Sequence, residues 1–124
     1  MDGFSVIMPT YNQSSFIRRA ILSLCNQTYK NWELIIINDG ATDYTEDYIS
    51  DYLASSYPIR YIKNETNKGL GVSINQGLTI AKYKYVSYLP SDDFYDKNHL
   101  MSLKKEFDKS EDVVLVFRSC HEIT

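Results

Sequence analysis

Two adjacent carboxylates, Asp92 and Asp93, follow Leu89-Pro90-Ser91 at the point where an apolar run leaves the core. Acids at a strand end can ligate a hard cation through oxygen, move a proton, or cap the helix that follows. Three further polar clusters invite the same question: Pro9-Thr10-Tyr11-Asn12, Asn38-Asp39-Gly40 and Asn67-Lys68-Gly69. Asn, Asp and Gly are also ordinary turn residues, so turn chemistry explains any one cluster taken alone. Their meaning depends on whether the fold brings them together.

The elements between the clusters alternate in period. Phe4 to Met8 is apolar and closed by Pro9, as in a buried strand, and Trp32 to Ile37 holds Leu34-Ile35-Ile36-Ile37, the unbroken run of a strand covered on both faces. Ile59 to Lys63, Tyr83 to Leu89 and Val113 to Phe117 supply three more strands. Pro90 cannot donate to a ladder and ends the fourth. Helical spacing joins Phe16, Ile17, Ala20, Ile21 and Leu24, with Ser14 or Ser15 as the cap and Arg18, Arg19 and Ser23 toward water. A second stripe runs through Tyr44, Tyr48, Ile49, Tyr52 and Leu53, opened by Asp43 and Glu46 at capping-box spacing. Leu70, Ile74, Leu78 and Ala81 mark a third helix; Leu100, Leu103 and Phe107 mark a fourth, capped by Asp96. Gly77 inside the third costs about 1 kcal/mol relative to alanine unless close packing requires it.

This alternation predicts an α/β fold of three layers, α/β/α, around a mostly parallel, Rossmann-like sheet. With right-handed crossovers, ligands bind beyond the carboxyl ends of the strands where strand order reverses. All four polar clusters fall at that edge. A shared ligand site explains them better than four unrelated turns.

Composition narrows the class. With 124 residues, 44% of them hydrophobic, positions 1–124 read as one domain with one core. Thirteen basic and 16 acidic residues are mixed along the chain for a net charge of -3, without a basic run, so nucleic acid is not an expected partner. No apolar stretch approaches the ~20 residues of a membrane span, and the N-terminus lacks the regions of a secretory signal, so the expected location is cytoplasmic. Cys25 and Cys120 read as small buried hydrophobes. His99 reads as a surface helix residue and His121 as a tail residue. A dinucleotide fold needs glycines directly after the first strand, where this chain has Pro9-Thr10-Tyr11-Asn12-Gln13. A P-loop is missing, and a receiver domain would carry its acidic pair after the first strand.

Taken in order, Val6-Ile7-Met8-Pro9-Thr10-Tyr11-Asn12, Trp32 through Asp43, Asn67-Lys68-Gly69 and Ser91-Asp92-Asp93 resemble the inverting family 2 glycosyltransferases of GT-A fold, over about Phe4 to Phe94. The resemblance implies transfer of a sugar from a nucleotide-diphosphate donor, a UDP-sugar first, to a hydroxyl of a glycan, a lipid-linked or another acceptor, as in the assembly of cell-surface polysaccharide. Pro9, Thr10, Tyr11 and Asn12 would meet the nucleoside, Asp39 would accept the uracil imide N–H, and Asn67, Lys68 and Gly69 would close near the base. Asp93 would bind Mn²⁺ or Mg²⁺ bridging the diphosphate, with Asp92 beside the sugar and ribose. Glu33, at the opposite end of its strand, reads as structural.

Where the family usually has Ala-Arg-Asn, this chain has Ser73-Ile74-Asn75, so an arginine expected near the nucleotide is replaced. The resemblance also puts the acceptor site and the catalytic Asp or Glu base after Thr124. On that reading the chain is a donor-binding portion truncated at its C-terminus, which alone transfers sugar poorly or not at all. Missing regions would hold the enzyme at the inner face of the membrane, and an apolar edge exposed without them makes a homodimer an expectation. The competing class is a nucleotide-binding or assembly module without chemistry.

Overall fold

A computed structural model describes residues 3–109; the expected strand Val113 to Phe117, Cys120 and His121 lie outside the described residues. The order is β1 (Phe4–Thr10), α1 (Ser14–Cys25), β2 (Trp32–Asp39), α2 (Thr45–Leu53), β3 (Ile59–Asn64), α3 (Leu70–Ile80), β4 (Tyr85–Tyr88) and α4 (His99–Lys109). The strands form one parallel sheet in the order β3-β2-β1-β4. The chain steps outward from β1 to β3, then returns past its own start to lay down β4, so the order reverses beside β1.

Strand alternation divides the core between two faces. Phe4, Val6, Met8, Leu34 and Ile36 join a cluster with Ile17, Ile21 and Leu24 of α1, Ile49 of α2 and Leu100 of α4. Ile7, Ile35 and Ile37 point the other way, against Ile80 and Ala81 at the end of α3. Each such aliphatic side chain, fully buried, contributes about 1.5–3 kcal/mol. The expected α/β architecture with helices on both faces is the one observed.

β1 runs further than the sequence predicts, because Pro9 continues the ladder opposite Ile37. The carbonyls of Gly3 and Ile7 accept N–H groups of Tyr85 and Leu89 on the β4 side. By strand alternation Pro9 turns its missing donor to that same side, where β4 pairing has already ended. A proline therefore sits in a central strand without breaking a bond. β4 itself is shorter than Tyr83 to Leu89 because earlier amides go to side chains: Lys82 N–H donates to Glu33 (2.9 Å) and Tyr83 N–H to Ser5 Oγ (3.1 Å). Glu33, 1% exposed, also accepts from Ser5 Oγ (2.6 Å) and Arg60 (3.2 Å) at the edge remote from the four loops, in keeping with a structural role.

Several helix expectations need correction. Neither Ser14 nor Ser15 caps α1 through its side chain; the Gln13 carbonyl accepts the Phe16 and Ile17 amides, and Asp43 Oδ2 takes Ser14 N–H (3.0 Å). Asp43 and Glu46 form no capping box, since Glu46 reaches to Tyr61 Oη (2.8 Å) and Lys63 Nζ (3.0 Å) on β3. Phe16, Tyr44 and Tyr48 are exposed, so the buried stripes of α1 and α2 are narrower than their apolar patterns. Ser23 is half-buried and accepts Tyr95 N–H. His99 is buried rather than on the surface, its ring stacked on Tyr95 at 4.0 Å between centroids. Asp96 does take the Asn98 amide at the mouth of α4 (2.8 Å).

The largest departure is α3, which buries Ser73 and Gly77 and leaves Leu70, Val72 and Leu78 exposed. A Cβ at Gly77 would stand 2.8 Å from Ile7 Cγ2 and 3.1 Å from Ile37 Cδ1. Small residues thus let α3 lie close on the sheet, and that contact outweighs the larger apolar stripe.

Candidate functional site

Asp39, the last residue of β2, organises the carboxyl edge. Its Oδ1 accepts Lys68 N–H (2.8 Å) and Asn64 Nδ2 (3.0 Å), and its Oδ2 accepts Gly69 N–H (2.9 Å). Asn64 in turn exchanges amide bonds with Gln76 of α3, at 2.9 and 2.8 Å. Burial pushes the Asp39 carboxyl up; the Lys68 amide, Asn64 and the Gly69 amide more than offset it, so the group stays below its ordinary value. Ser73 favours the charged form as well, although its Oγ does not reach hydrogen-bond geometry.

Two glycines make this turn possible. Gly40 has φ +76°, and a Cβ there would lie 2.5 Å from the Thr66 carbonyl carbon and 2.6 Å from Asn67 N. The loops after β2 and β3 touch backbone to backbone at that point. Gly69 has φ +97° with open space where a Cβ would point, so its requirement is conformational, not steric contact.

The result is a cavity of about 240 Å³ lined by Pro9, Thr10, Tyr11, Asp39, Asn67, Gly69, Leu70 and Ser73. Six residues singled out in the sequence are brought together there. Leu70 and Ser73 were missed, as were Asn64 and Gln76 behind Asp39; the available signal was the small pair Ser73 and Gly77 one helical turn apart. Tyr11 is 46% exposed, whereas Thr10 and Ser73 are buried with hydroxyls that make no hydrogen bond.

Four expected site residues lie outside the cavity lining. Asn12 adopts φ 54°, a left-handed conformation that asparagine tolerates, and its Oδ1 accepts Thr42 N–H (2.8 Å), tying the first two loops. Lys68 contributes its backbone to Asp39, not its ammonium. Asp92 is exposed, and its carbonyl accepts Arg19 (3.0 Å), whose guanidinium covers the Phe94 ring at 4.8 Å. Asp93 is half-buried, and its Oδ1 accepts Phe94 N–H (2.7 Å). Both acids follow β4, beside β1, at the same edge as the cavity.

Among the described residues, no three His, Cys, Asp or Glu gather as a metal cage. A hard divalent cation takes six or more oxygen ligands, and magnesium keeps waters and substrate phosphates among them. With Asp93 as the one carboxylate assigned to it, a cation here would need substrate oxygens to complete its shell.

Comparison with known proteins identifies the family. The family model described as glycosyl transferase family 2 matches residues 5–123. The chain belongs to that family. It is 34% identical over 105 residues to glycosyltransferase GlyA of Streptococcus pneumoniae, covering 85% of this chain and 15% of GlyA. It is 36% identical over 96 residues to the putative teichuronic acid biosynthesis glycosyltransferase TuaG of Bacillus subtilis, covering 77% of this chain and 38% of TuaG. The crystal structure of Staphylococcus aureus TarS 1-349 in complex with UDP-GlcNAc superposes with a TM-score of 0.80 at 30% identity, covering 86% of this chain and 31% of that one. The parallel α/β fold described above is that of the GT-A glycosyltransferases. This family 2 chain thus spans well under two thirds of each of these relatives. No helix among the described residues is long and apolar enough to cross a membrane.

Proposed function

We propose that this family 2 chain forms the donor site of a glycosyltransferase that moves a sugar from a uridine-diphosphate donor to a hydroxyl acceptor with inversion. One observation carries the reading. At the carboxyl edge of the sheet a cavity of nucleoside size joins a hydrogen-bonded carboxylate, Asp39, to a buried unpaired hydroxyl, Thr10 Oγ1. The UDP-GlcNAc bound to TarS makes a UDP-sugar the first donor to test.

In this reading the base enters between Tyr11 and the loop of Asn67 to Gly69, its imide N–H meeting Asp39. Pro9 and Asn12 hold the first loop in shape. Asp93, with Asp92 beside the sugar and ribose, would hold Mn²⁺ or Mg²⁺ against the diphosphate. Such a cation supplies neutralisation of the charge left on the departing nucleoside diphosphate. The acceptor oxygen must be held and deprotonated opposite the leaving group, and that duty falls to an acid outside the described residues. TuaG's name makes a cell-surface polysaccharide the acceptor class to test.

Calorimetric titration with UDP, with and without Mn²⁺, tests the proposal. Binding should strengthen with Mn²⁺, lose that metal dependence in Asp93→Ala, and weaken about tenfold or more in Asp39→Asn, as expected for a charge-assisted bond. Absence of binding to UDP, GDP and dTDP would overturn the donor-site reading and favour an assembly module.

A further inference from the structure

Ser73 is fully buried in the first turn of α3, lines the cavity, and its Oγ has no hydrogen-bond partner. Helical hydroxyls normally find one on the preceding turn: Thr79 Oγ1 donates to the Asn75 carbonyl (2.8 Å), and Ser23 Oγ to the Ala20 carbonyl (2.7 Å). Ser73 does neither, although the Gly69 carbonyl, which accepts the Ser73 amide (3.1 Å), has a second lone pair to offer. A buried hydroxyl left unmet in a polar cavity is poised for a ligand.

We propose that Ser73 is a base-specificity residue, whose hydroxyl donates to a ring carbonyl oxygen of the nucleobase while Asp39 accepts the neighbouring imide N–H. This rests on the donor-site reading above and goes beyond it by naming a residue and the edge of the base that it reads. The occupancy of Asp39 decides which edge. Oδ1 already accepts two bonds, from Lys68 and Asn64, and Oδ2 one, from Gly69, so a single lone-pair position on Oδ2 remains. Guanine presents two adjacent N–H donors and asks for both carboxylate oxygens. An imide offers one N–H flanked by two carbonyls, the complement of one carboxylate position and two unpaired hydroxyls, Thr10 and Ser73. Cytosine carries no proton on ring N3, so its lone pair there would face the Asp39 carboxylate with no bond made. The site therefore selects a pyrimidine-2,4-dione.

The test is calorimetric titration of wild type, Ser73→Ala and Thr10→Val with UDP, 2-thio-UDP, 4-thio-UDP, CDP and GDP. Ser73→Ala should weaken UDP about three- to tenfold, the size of one neutral hydrogen bond. One thio analogue should bind more weakly than UDP to wild type and equally with UDP to Ser73→Ala, because sulfur is a poor acceptor and the variant has no donor to lose. CDP and GDP should bind wild type at least tenfold more weakly than UDP. The melting temperature of Ser73→Ala should stay close to that of wild type, since no hydrogen bond of normal geometry is removed. Loss of less than twofold in UDP affinity, or a thio penalty that persists unchanged in Ser73→Ala, would overturn the inference while wild-type UDP binding leaves the donor site standing. Failure of wild type to bind UDP would sink both.

Discussion

Asp39 Oδ2 accepts the Gly69 amide at 2.9 Å, joining the end of β2 to the start of α3 across 30 residues of sequence. Through that bond and its neighbours, a residue that lines the cavity also shapes the loop that forms the cavity wall. Stability and binding should therefore move together when Asp39 is changed. Asp39→Asn retains the size but places an amide among N–H donors, and should cost about 1.5–3 kcal/mol, read as a lower denaturant midpoint. Its effect on UDP affinity should exceed that of Thr10→Val, which removes no native bond.

The two positive-φ glycines should respond differently to alanine. Gly69→Ala meets only conformational strain, about 1–3 kcal/mol, because φ 97° with ψ 160° is a region essentially confined to glycine. Gly40→Ala adds a collision with the backbone of Thr66 and Asn67 and should lose more, in a chain that still folds. Urea unfolding of both variants ranks them; equal losses would contradict the backbone contact.

At the α3 interface, Gly77→Ala should destabilise by about 1–3 kcal/mol through overpacking against Ile7. Because the contact includes Ile7 Cδ1 at 2.9 Å, Ile7→Val should partly rescue it. A double-mutant cycle gives the coupling, and additive losses would show that α3 does not seat on Ile7 as described.

Acid should unfold the chain from three linked sites. Burial raises the carboxyls of Glu33, Asp39 and Asp43, and hydrogen bonds from Ser5 and Lys82, from Lys68 and Asn64, and from Thr45 and Ser14 respectively carry each below its ordinary value. A pKa lower in the folded than in the unfolded state adds stability that is present above the unfolded value, about 3.9–4.3, and is lost as pH falls through the folded one. The melting temperature should be flat from neutrality to about pH 5 and fall below about pH 4. Asp39→Asn should flatten that fall.

Local chemistry along the chain was enough to determine the alternation of strand and helix, the all-apolar run of β2, and the gathering of Pro9, Thr10, Tyr11, Asp39, Asn67 and Gly69 at one edge. Those follow from periodicity, from the conformational demands of glycine and proline, and from the handedness of βαβ crossovers. Tertiary packing decided what periodicity could not. Gly77 lets α3 approach the sheet on its small face, so Ser73 enters the cavity and Leu70, Val72 and Leu78 stay outside. Ser5 and Glu33 draw off the amides of Tyr83 and Lys82 and shorten β4. Glu46 leaves its own helix for β3, and His99 is buried against Tyr95. Except at His99, whose partner Tyr95 is a near neighbour in the chain, a partner distant in sequence won over the local preference, because a buried contact or a satisfied polar group is worth more than the local propensity it displaces.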